Sequence, residues 1–318
     1  MSGNLHVIFG AGQVGTQLAR RLLASGRRVR LARRSGGAVP EGAEVVRGDA
    51  ADTAFCTAAA SGAAVVYHCM NPPYSTRLWS ELLPRYMDNL IDGAGRAGAR
   101  LVVLDNVYML GRPSDGRLDE ETPVHPRSRK GEIRARVAER LFDAHARGNV
   151  RAVSGRGSDF YGPGGTMTHL GDQFWSPVLK GKAGRVVVDP DVLHTYHYIP
   201  DVAAGLMVLA DAPDDCYGRP WMLPCEPAIT LRALVHRFES HLGRPIAVAR
   251  LPPVLLKVLS LFVPLMRELN EMAYQWEGPF VVDDGRFRAR FGGEPTPADQ
   301  AAKETVLWAR EHYGWVAS

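Results

Sequence analysis

Through the first half of the chain, short apolar runs alternate with stretches in which apolar residues recur every three or four positions. Leu5–Phe9 is apolar apart from His6 and predicts a strand. Gln17–Ser25 carries helical spacing, and Arg28–Ala32 predicts a second strand. A third strand is expected over Val45–Asp49, a fourth over Ala63–His68 and a fifth over Arg100–Leu104. Leu78–Ala97 and Gly131–His145 have helical periodicity, and Val150–Val153 reads as a sixth strand. Strands alternating with helices build a parallel sheet covered on both faces, because right-handed crossovers place helices on each side. The expected fold is therefore α/β, a doubly wound parallel sheet of about seven strands. Beyond Gly155 the pattern loosens into Gly/Pro-rich loops at 162–165, 189–190 and 213–227. A smaller C-terminal lobe is expected there, with Tyr196–Leu209 returning to the main sheet.

The first predicted strand runs directly into Gly10-Ala11-Gly12-Gln13-Val14-Gly15. Strand, glycine turn, helix and second strand together form a dinucleotide-binding βαβ unit. Gly10 permits the tight turn, Gly12 lets backbone approach a pyrophosphate, and Gly15 allows helix and strand to pack closely. Gln13 and Val14, within the turn, are counted with the glycines as cofactor-binding residues, and the N-terminus of the helix that follows favours phosphate charge. This divides the chain into a dinucleotide-binding domain at 1–165, joined by 194–212, and a mainly substrate-binding lobe at 166–318.

At the end of the second strand, NAD-binding versions usually place an acid for the ribose 2′-hydroxyl. Here the sequence reads Leu31-Ala32-Arg33-Arg34-Ser35, with no acid. Two guanidiniums and a hydroxyl suit a 2′-phosphate, so NADP(H) is favoured, with NAD(H) as the alternative. Asp49, at the end of the third strand, is expected beside the adenine.

Composition narrows the classes of function. A hydrophobic content of 46% and a charged content of 23% fit an ordinary globular enzyme. The net charge of +4 is mild and its basic residues are dispersed, which argues against nucleic acid. Cys56, Cys69, Cys216 and Cys225 have neither metal nor redox spacing, and with a strand at the extreme N-terminus they suggest a cytoplasmic protein. Leu251–Leu269 is the most apolar window, but Lys257, Pro264 and Arg267 interrupt it below spanning length. Two packed helices are expected there, as plain core or the wall of an apolar pocket, with a membrane-surface role disfavoured. A homodimer is the default assembly.

The chain resembles the extended short-chain dehydrogenase/reductases of the NAD-dependent epimerase/dehydratase type over nearly its whole length. The likeness rests on the GxGxxG variant of its glycine turn, seen in atypical members of that family. Further matches are Val107-Tyr108-Met109-Leu110-Gly111, Leu118–Pro123, Arg156–Pro163 and Tyr198–Ala203. The family typically carries a Pro and then Tyr-x-x-x-Lys, with Gly directly after the Tyr. The register set by Pro126 and Gly131 instead gives Lys130-Gly131-Glu132-Ile133-Arg134. The expected Ser or Thr after the fifth strand falls on Asn106. All three members of the usual catalytic set are replaced.

An Arg at 134 can still hold a nicotinamide ribose, always as a cation. Lys130, desolvated beside that cation, is expected to titrate nearer neutrality and to serve as general acid or base. Tyr108 is a second candidate for the proton, with Asn106 polarising the carbonyl, and Tyr161 a third. A fourth reading makes Lys130 only an anion or salt-bridge anchor. Asp159 falls where the resemblance implies a substrate-facing Asn, and His194 where nucleotide-sugar enzymes carry an Arg for the diphosphate. Phe174, Trp175, Tyr274, Trp276 and Phe280 lean toward a less charged organic substrate. His194 and His197 have no third ligand nearby, so no metal is expected. The favoured function is NADP(H)-dependent oxidoreduction of a carbonyl or alcohol. An epimerase or dehydratase with retained cofactor, and a sensor without turnover, are the alternatives.

Overall fold

The structure is a computed structural model and describes residues 4–37 and 39–314. Its first strand, β1 (Leu5–Phe9), is buried at every position and pairs in parallel with β2 (Arg28–Arg33). Between them runs α1 (Gln13–Ala24), beginning immediately after Gly12 and four residues earlier than its apolar spacing indicates. β3 (Glu44–Arg47) extends the sheet beyond β2, while β4 (Val65–His68) pairs with the other side of β1. β5 (Arg100–Asn106) follows β4, and the strands Arg151–Gly157 and Pro220–Met222 complete the far edge. The sheet has seven strands, in the order Pro220–Met222, Arg151–Gly157, β5, β4, β1, β2, β3. Strand order reverses between β1 and β4, which in doubly wound sheets is where ligands bind.

The helix α2 (Thr53–Ala60) has no counterpart in the sequence reading. Its composition is nearly all Ala, Cys and Thr, so no amphipathic stripe marks it. Its one local signal is Asp52, whose carboxylate accepts from the backbone N–H groups of Ala54 and Phe55. Two longer helices are α3 (Thr76–Ala97) and α4 (Arg129–Ala146). The stripe Trp79, Leu83, Tyr86, Met87 and Leu90 of α3 is buried in the core together with Ile133, Val137 and Leu141 of α4.

Residues divide into two compact units. The first comprises 1–109, 124–156 and 202–223, and the second 110–123, 157–201 and 224–318. The expectation that Tyr196–Leu209 rejoins the main sheet is corrected in part: residues 202–209 do belong to the first unit, but as helix rather than strand. Tyr196–Tyr198 pairs instead with Asp159–Tyr161 in a separate two-stranded ribbon, and Ile199–Asp211 is helical. The strand that does join is Pro220–Met222, beside Arg151–Gly157. Tyr196–Tyr198 is buried at all three positions, so its apolar pattern marks burial without naming its partner. The expected pair of helices within 251–269 is present as Pro253–Leu259 and Pro264–Met272. No described helix is long and apolar enough to cross a membrane.

Two outcomes test this packing. A methyl group on Gly15 would lie 1.9 Å from the Gly10 carbonyl oxygen, whereas one on Gly12 would meet nothing within 4 Å. Gly15→Ala should therefore cost about 1–3 kcal/mol or more in denaturant titration, and Gly12→Ala less than about 1 kcal/mol.

The second outcome is acid sensitivity. Burial pushes His68 down to about 3, helped by the charge of Arg134, and pushes His6 down to about 4, helped by Arg27. Both must stay neutral in the fold while the unfolded chain takes up protons below about pH 6.5. Their stabilising contribution is complete above that pH and is lost progressively as pH falls toward the folded values. The denaturation midpoint should drop from pH 7 to pH 5, and should drop less in His68→Leu.

Candidate active site

The glycine turn has the shape that close approach to a phosphate requires. Gly10 adopts φ +108°, and a Cβ there would strike the Cys69 carbonyl oxygen at 2.7 Å, across the β1–β4 switch point. Gly15 draws α1 onto the turn, while Gly12 is exposed with open space on its side-chain face. Gly12 is also the N-cap of α1 and supplies no side-chain acceptor, so the first-turn N–H groups, including those of Gln13 and Val14, are left for another partner. The Gln13 Oε1 is buried and meets no donor among the described residues. An exposed backbone cradle, uncapped helix donors and an orphaned acceptor fit a dinucleotide pyrophosphate and its ribose.

At the end of β2, the Arg33 guanidinium donates to the carbonyl oxygens of Gly36 (2.5 Å) and Gly37 (3.3 Å). Arg34 is exposed and lies 3.9 Å from the Asp49 carboxylate. Asp49 falls two residues past the end of β3, and its Oδ1 accepts from the Ala51 N–H. Arg33, Ser35, Gly36, Gly37, Val39, Val45 and Arg47 line an open concavity of about 490 Å³. Arg47, which stands opposite Arg33 in the β2–β3 register, brings a second guanidinium to it, and the sequence reading missed it.

Beyond the C-terminal ends of β4 and β5 lies a buried cationic cluster. Ser128 caps α4 by accepting from the Gly131 N–H at 3.0 Å. Gly131 has no side chain because a Cβ would sit 2.6 Å from the Tyr108 carbonyl oxygen, so α4 lies directly against the turn after β5. One helical turn apart on the buried face of α4 are Lys130, fully buried, and Arg134, 4% exposed. The Lys130 Nζ lies 4.9 Å from the Tyr74 ring centroid, and the Arg134 guanidinium 4.9 Å from that of Trp79. Trp79 also stacks on Tyr108, with centroids 6.1 Å apart and planes 11° apart, and meets Tyr74 edge-on.

Arg134 donates to Asp105 at 3.3 Å and to the Asn71 side-chain oxygen. The Asp105 carboxylate also faces Arg156 at 3.7 Å, and all three charged groups are buried. Burial lowers the Arg134 pKa, opposed by the Asp105 carboxylate, whose charge favours the cation. Asn106 is half-buried, and its Oδ1 accepts from the Tyr108 N–H at 3.1 Å, fixing the turn that carries the phenol. Lys130, Arg134, Asn106 and Tyr108 therefore belong to one neighbourhood of the first unit. The sequence reading missed Asn71, Tyr74, Trp79 and Arg156 as members of it. The phase of Trp79 on the buried stripe of α3 is the one signal that pointed there.

The remaining candidates belong to the second unit. The His194 Nε2 lies 2.9 Å from Asp159 Oδ2, and the same oxygen accepts from the Trp276 indole at 2.9 Å. His169 approaches the other carboxylate oxygen at 3.6 Å. Burial would raise the Asp159 pKa, but His169, His194 and Trp276 together hold it well below the usual carboxylate range. His194 is 2% exposed and stacks on Phe280, which leaves its ring committed inside the unit. Tyr161 is buried against Tyr198 and Phe238, and burial raises its phenol pKa. Among the described residues, no group of three or more His, Cys, Asp or Glu is placed to hold a metal.

Comparison with solved structures yields close likenesses of fold at low identity. UDP-glucuronic acid 4-epimerase from Bacillus cereus, in complex with UDP-glucuronic acid and NAD, superposes with a TM-score of 0.80 at 14% identity, over 97% of this chain and 100% of that one. UDP-glucose 4-epimerase of Thermus thermophilus, in complex with NAD, gives 0.75 at 18%, over 96% and 99%. A nucleoside-diphosphate-sugar epimerase of Pseudomonas aeruginosa gives 0.75 at 16%, over 97% and 98%. None of the curated proteins compared matches the sequence. The family described as NAD dependent epimerase/dehydratase matches residues 7–219, covering both the glycine turn and the cationic cluster. This chain belongs to that family of enzymes.

Proposed function

We propose that the protein is an NADP(H)-dependent oxidoreductase acting on a carbonyl or alcohol group of a small organic substrate. The observation that carries this reading is that Tyr108 and Arg134, a permanent cation, share one aromatic neighbour, Trp79, which stacks on the phenol and lies under the guanidinium. In the Tyr-x-x-x-Lys arrangement that the sequence lacks, a cation lowers the cost of forming a phenolate. Here the same pairing is made from two elements, the turn after β5 and α4. Tyr108 is half-buried and Lys130 is fully enclosed, which favours the phenol as the group that meets substrate.

The glycine turn and the Gln13–Val14 backbone would hold the pyrophosphate, and Arg33, Arg34 and Ser35 the 2′-phosphate. A bound nicotinamide dinucleotide supplies a hydride donor or acceptor. Tyr108 gives its proton to the substrate oxygen as a carbonyl is reduced, or receives it as an alcohol is oxidised. Arg134 stabilises the phenolate left behind, because an opposite charge nearby favours the ionised form. Lys130, held over the Tyr74 ring, adds to the positive field, and the Asn106 amide directs a hydrogen bond toward the substrate oxygen. Asp159, Tyr161 and His194 are assigned to shaping the substrate lobe through their own packing. The family favours a second reading, an epimerase or dehydratase that regenerates its dinucleotide within each cycle. Dinucleotide that copurifies and is not consumed would mark it.

Two measurements test the assignment. Against a panel of carbonyl compounds with NADPH oxidation as readout, Tyr108→Phe should lower kcat about 100-fold or more with dinucleotide affinity unchanged. Loss of turnover in Lys130→Met alone, with Tyr108→Phe active, would move the proton to the lysine. Separately, fluorescence titration of an Arg33→Ala/Arg34→Ala variant should show NADPH affinity reduced about 10- to 100-fold and NADH affinity retained. Equal losses for both dinucleotides would remove the preference for NADP(H).

A further inference from the structure

The open concavity at the ends of β2 and β3, within the first unit, sets two cations side by side with nothing between them. Arg33 and Arg47 are the last residues of the two strands and stand opposite each other in parallel register. Neighbouring strands lie about 4.8 Å apart, and both side chains line the same concavity. Like charges set opposite each other across strands destabilise a sheet. No acid lines the concavity to offset them. The carboxylates that flank Arg47 along the chain are committed elsewhere: Glu44 accepts from Arg30 at 2.9 Å, while Asp49 faces Arg34 and accepts from the Ala51 N–H.

The two arginines differ in what they already hold. Arg33 donates to the Gly36 and Gly37 carbonyl oxygens, and Gly37, at φ +131°, has no room for a Cβ beside that guanidinium. Arg33 therefore fixes the loop after β2 as one wall. Arg47 is exposed, and its guanidinium makes no hydrogen bond or ion pair with any described residue.

A pair of cations facing an open concavity without a counter-ion suits an anion, and two observations choose its kind. Val39 and Val45 give the concavity apolar flanks, which suit a phosphate carried on an organic body better than a hydrated inorganic ion. The concavity also lies at the carboxyl end of the strand that follows α1, where a dinucleotide held on the glycine turn places its adenosine ribose.

We propose that Arg47 is the residue that selects the 2′-phosphate of the dinucleotide, contributing a guanidinium from β3 while Arg33 holds the loop opposite. This role rests on the NADP(H) reading above and adds to it a residue outside the glycine-turn βαβ unit. It also fixes a sign. The charge that binds the phosphate destabilises the ligand-free sheet edge, so affinity and stability move in opposite directions at position 47.

Full-length Arg47→Gln and Arg47→Glu variants should be compared with wild type by calorimetric titration and by thermal melting without ligand. The titrants are NADPH, NADH, adenosine 2′,5′-bisphosphate and inorganic phosphate. Wild type should prefer NADPH, and Arg47→Gln should lower NADPH affinity about tenfold or more with NADH affinity unchanged. The bisphosphate should lose affinity in parallel with NADPH. Arg47→Glu, which faces Arg33 with the opposite charge, should bind NADPH still more weakly and melt higher than wild type. A wild-type preference for NADPH that survives both changes would overturn the role of Arg47 and leave the cofactor reading standing, whereas no wild-type preference would overturn both. Inorganic phosphate bound as tightly as the bisphosphate would overturn it too, by reducing the concavity to an unselective anion site. So would both variants melting below wild type, since lost binding would then report a damaged edge strand.

Discussion

One buried carboxylate organises the candidate site of the first unit. Asp105 sits at the end of β5, with Arg134 from α4 and Arg156 from the neighbouring strand closing on it. Two cations on one anion, all out of water, tolerate little change. Taking one partner from such a pair leaves an uncompensated charge, at a cost of about 3–5 kcal/mol. The arrangement therefore fixes α4 relative to the sheet edge, and with it the height of Lys130 and the lie of Arg134 against Trp79. The aromatic stack and the Gly131 contact with the Tyr108 turn depend on that height.

A consequence concerns how catalytic sets change. With Lys130 and Arg134 at the positions the resemblance assigns to tyrosine and lysine, and Asn106 at that of Ser or Thr, the proposed set keeps positive charge on α4 and takes its phenol from elsewhere. A phenol from an adjacent turn, Tyr108, stacks on Trp79, the same ring that the Arg134 guanidinium covers. The proposed chemistry thus requires no new scaffold, only that Trp79 hold the two side chains in company. Fold alone does not dictate this, since one fold supports many reactions.

What could be read from the sequence followed from how locally each feature is encoded. β1, the glycine turn and β2 were legible because a buried parallel strand is a continuous apolar run and the turn is spelled by residues that alone fit its backbone. α2 was not legible, because an Ala-rich helix has almost no polar–apolar contrast and Asp52 is its only flag. The partner of Tyr196–Tyr198 was misjudged because strand pairing is a property of distant segments, while burial is written in the strand itself. The sequence named Lys130, Arg134, Asn106 and Tyr108 as candidates, and the structure brings them into one neighbourhood. The construction of that site was not legible, because Asp105, Arg156, Asn71, Tyr74 and Trp79 come together from separate elements and no spacing links them.

The order in which the sheet is assembled carries an implication for synthesis. Its last strand, Pro220–Met222, is separated from its neighbour Arg151–Gly157 by a long excursion through residues assigned to the other unit. On a ribosome, β1 to β5 and Arg151–Gly157 emerge well before the chain can supply the closing strand. During that interval the growing sheet has an open edge, the kind of unpaired surface that invites association with other nascent chains. A transcript truncated anywhere before codon 223 would leave that edge permanently bare. No cut at a single point of the gene separates an intact first unit from the second.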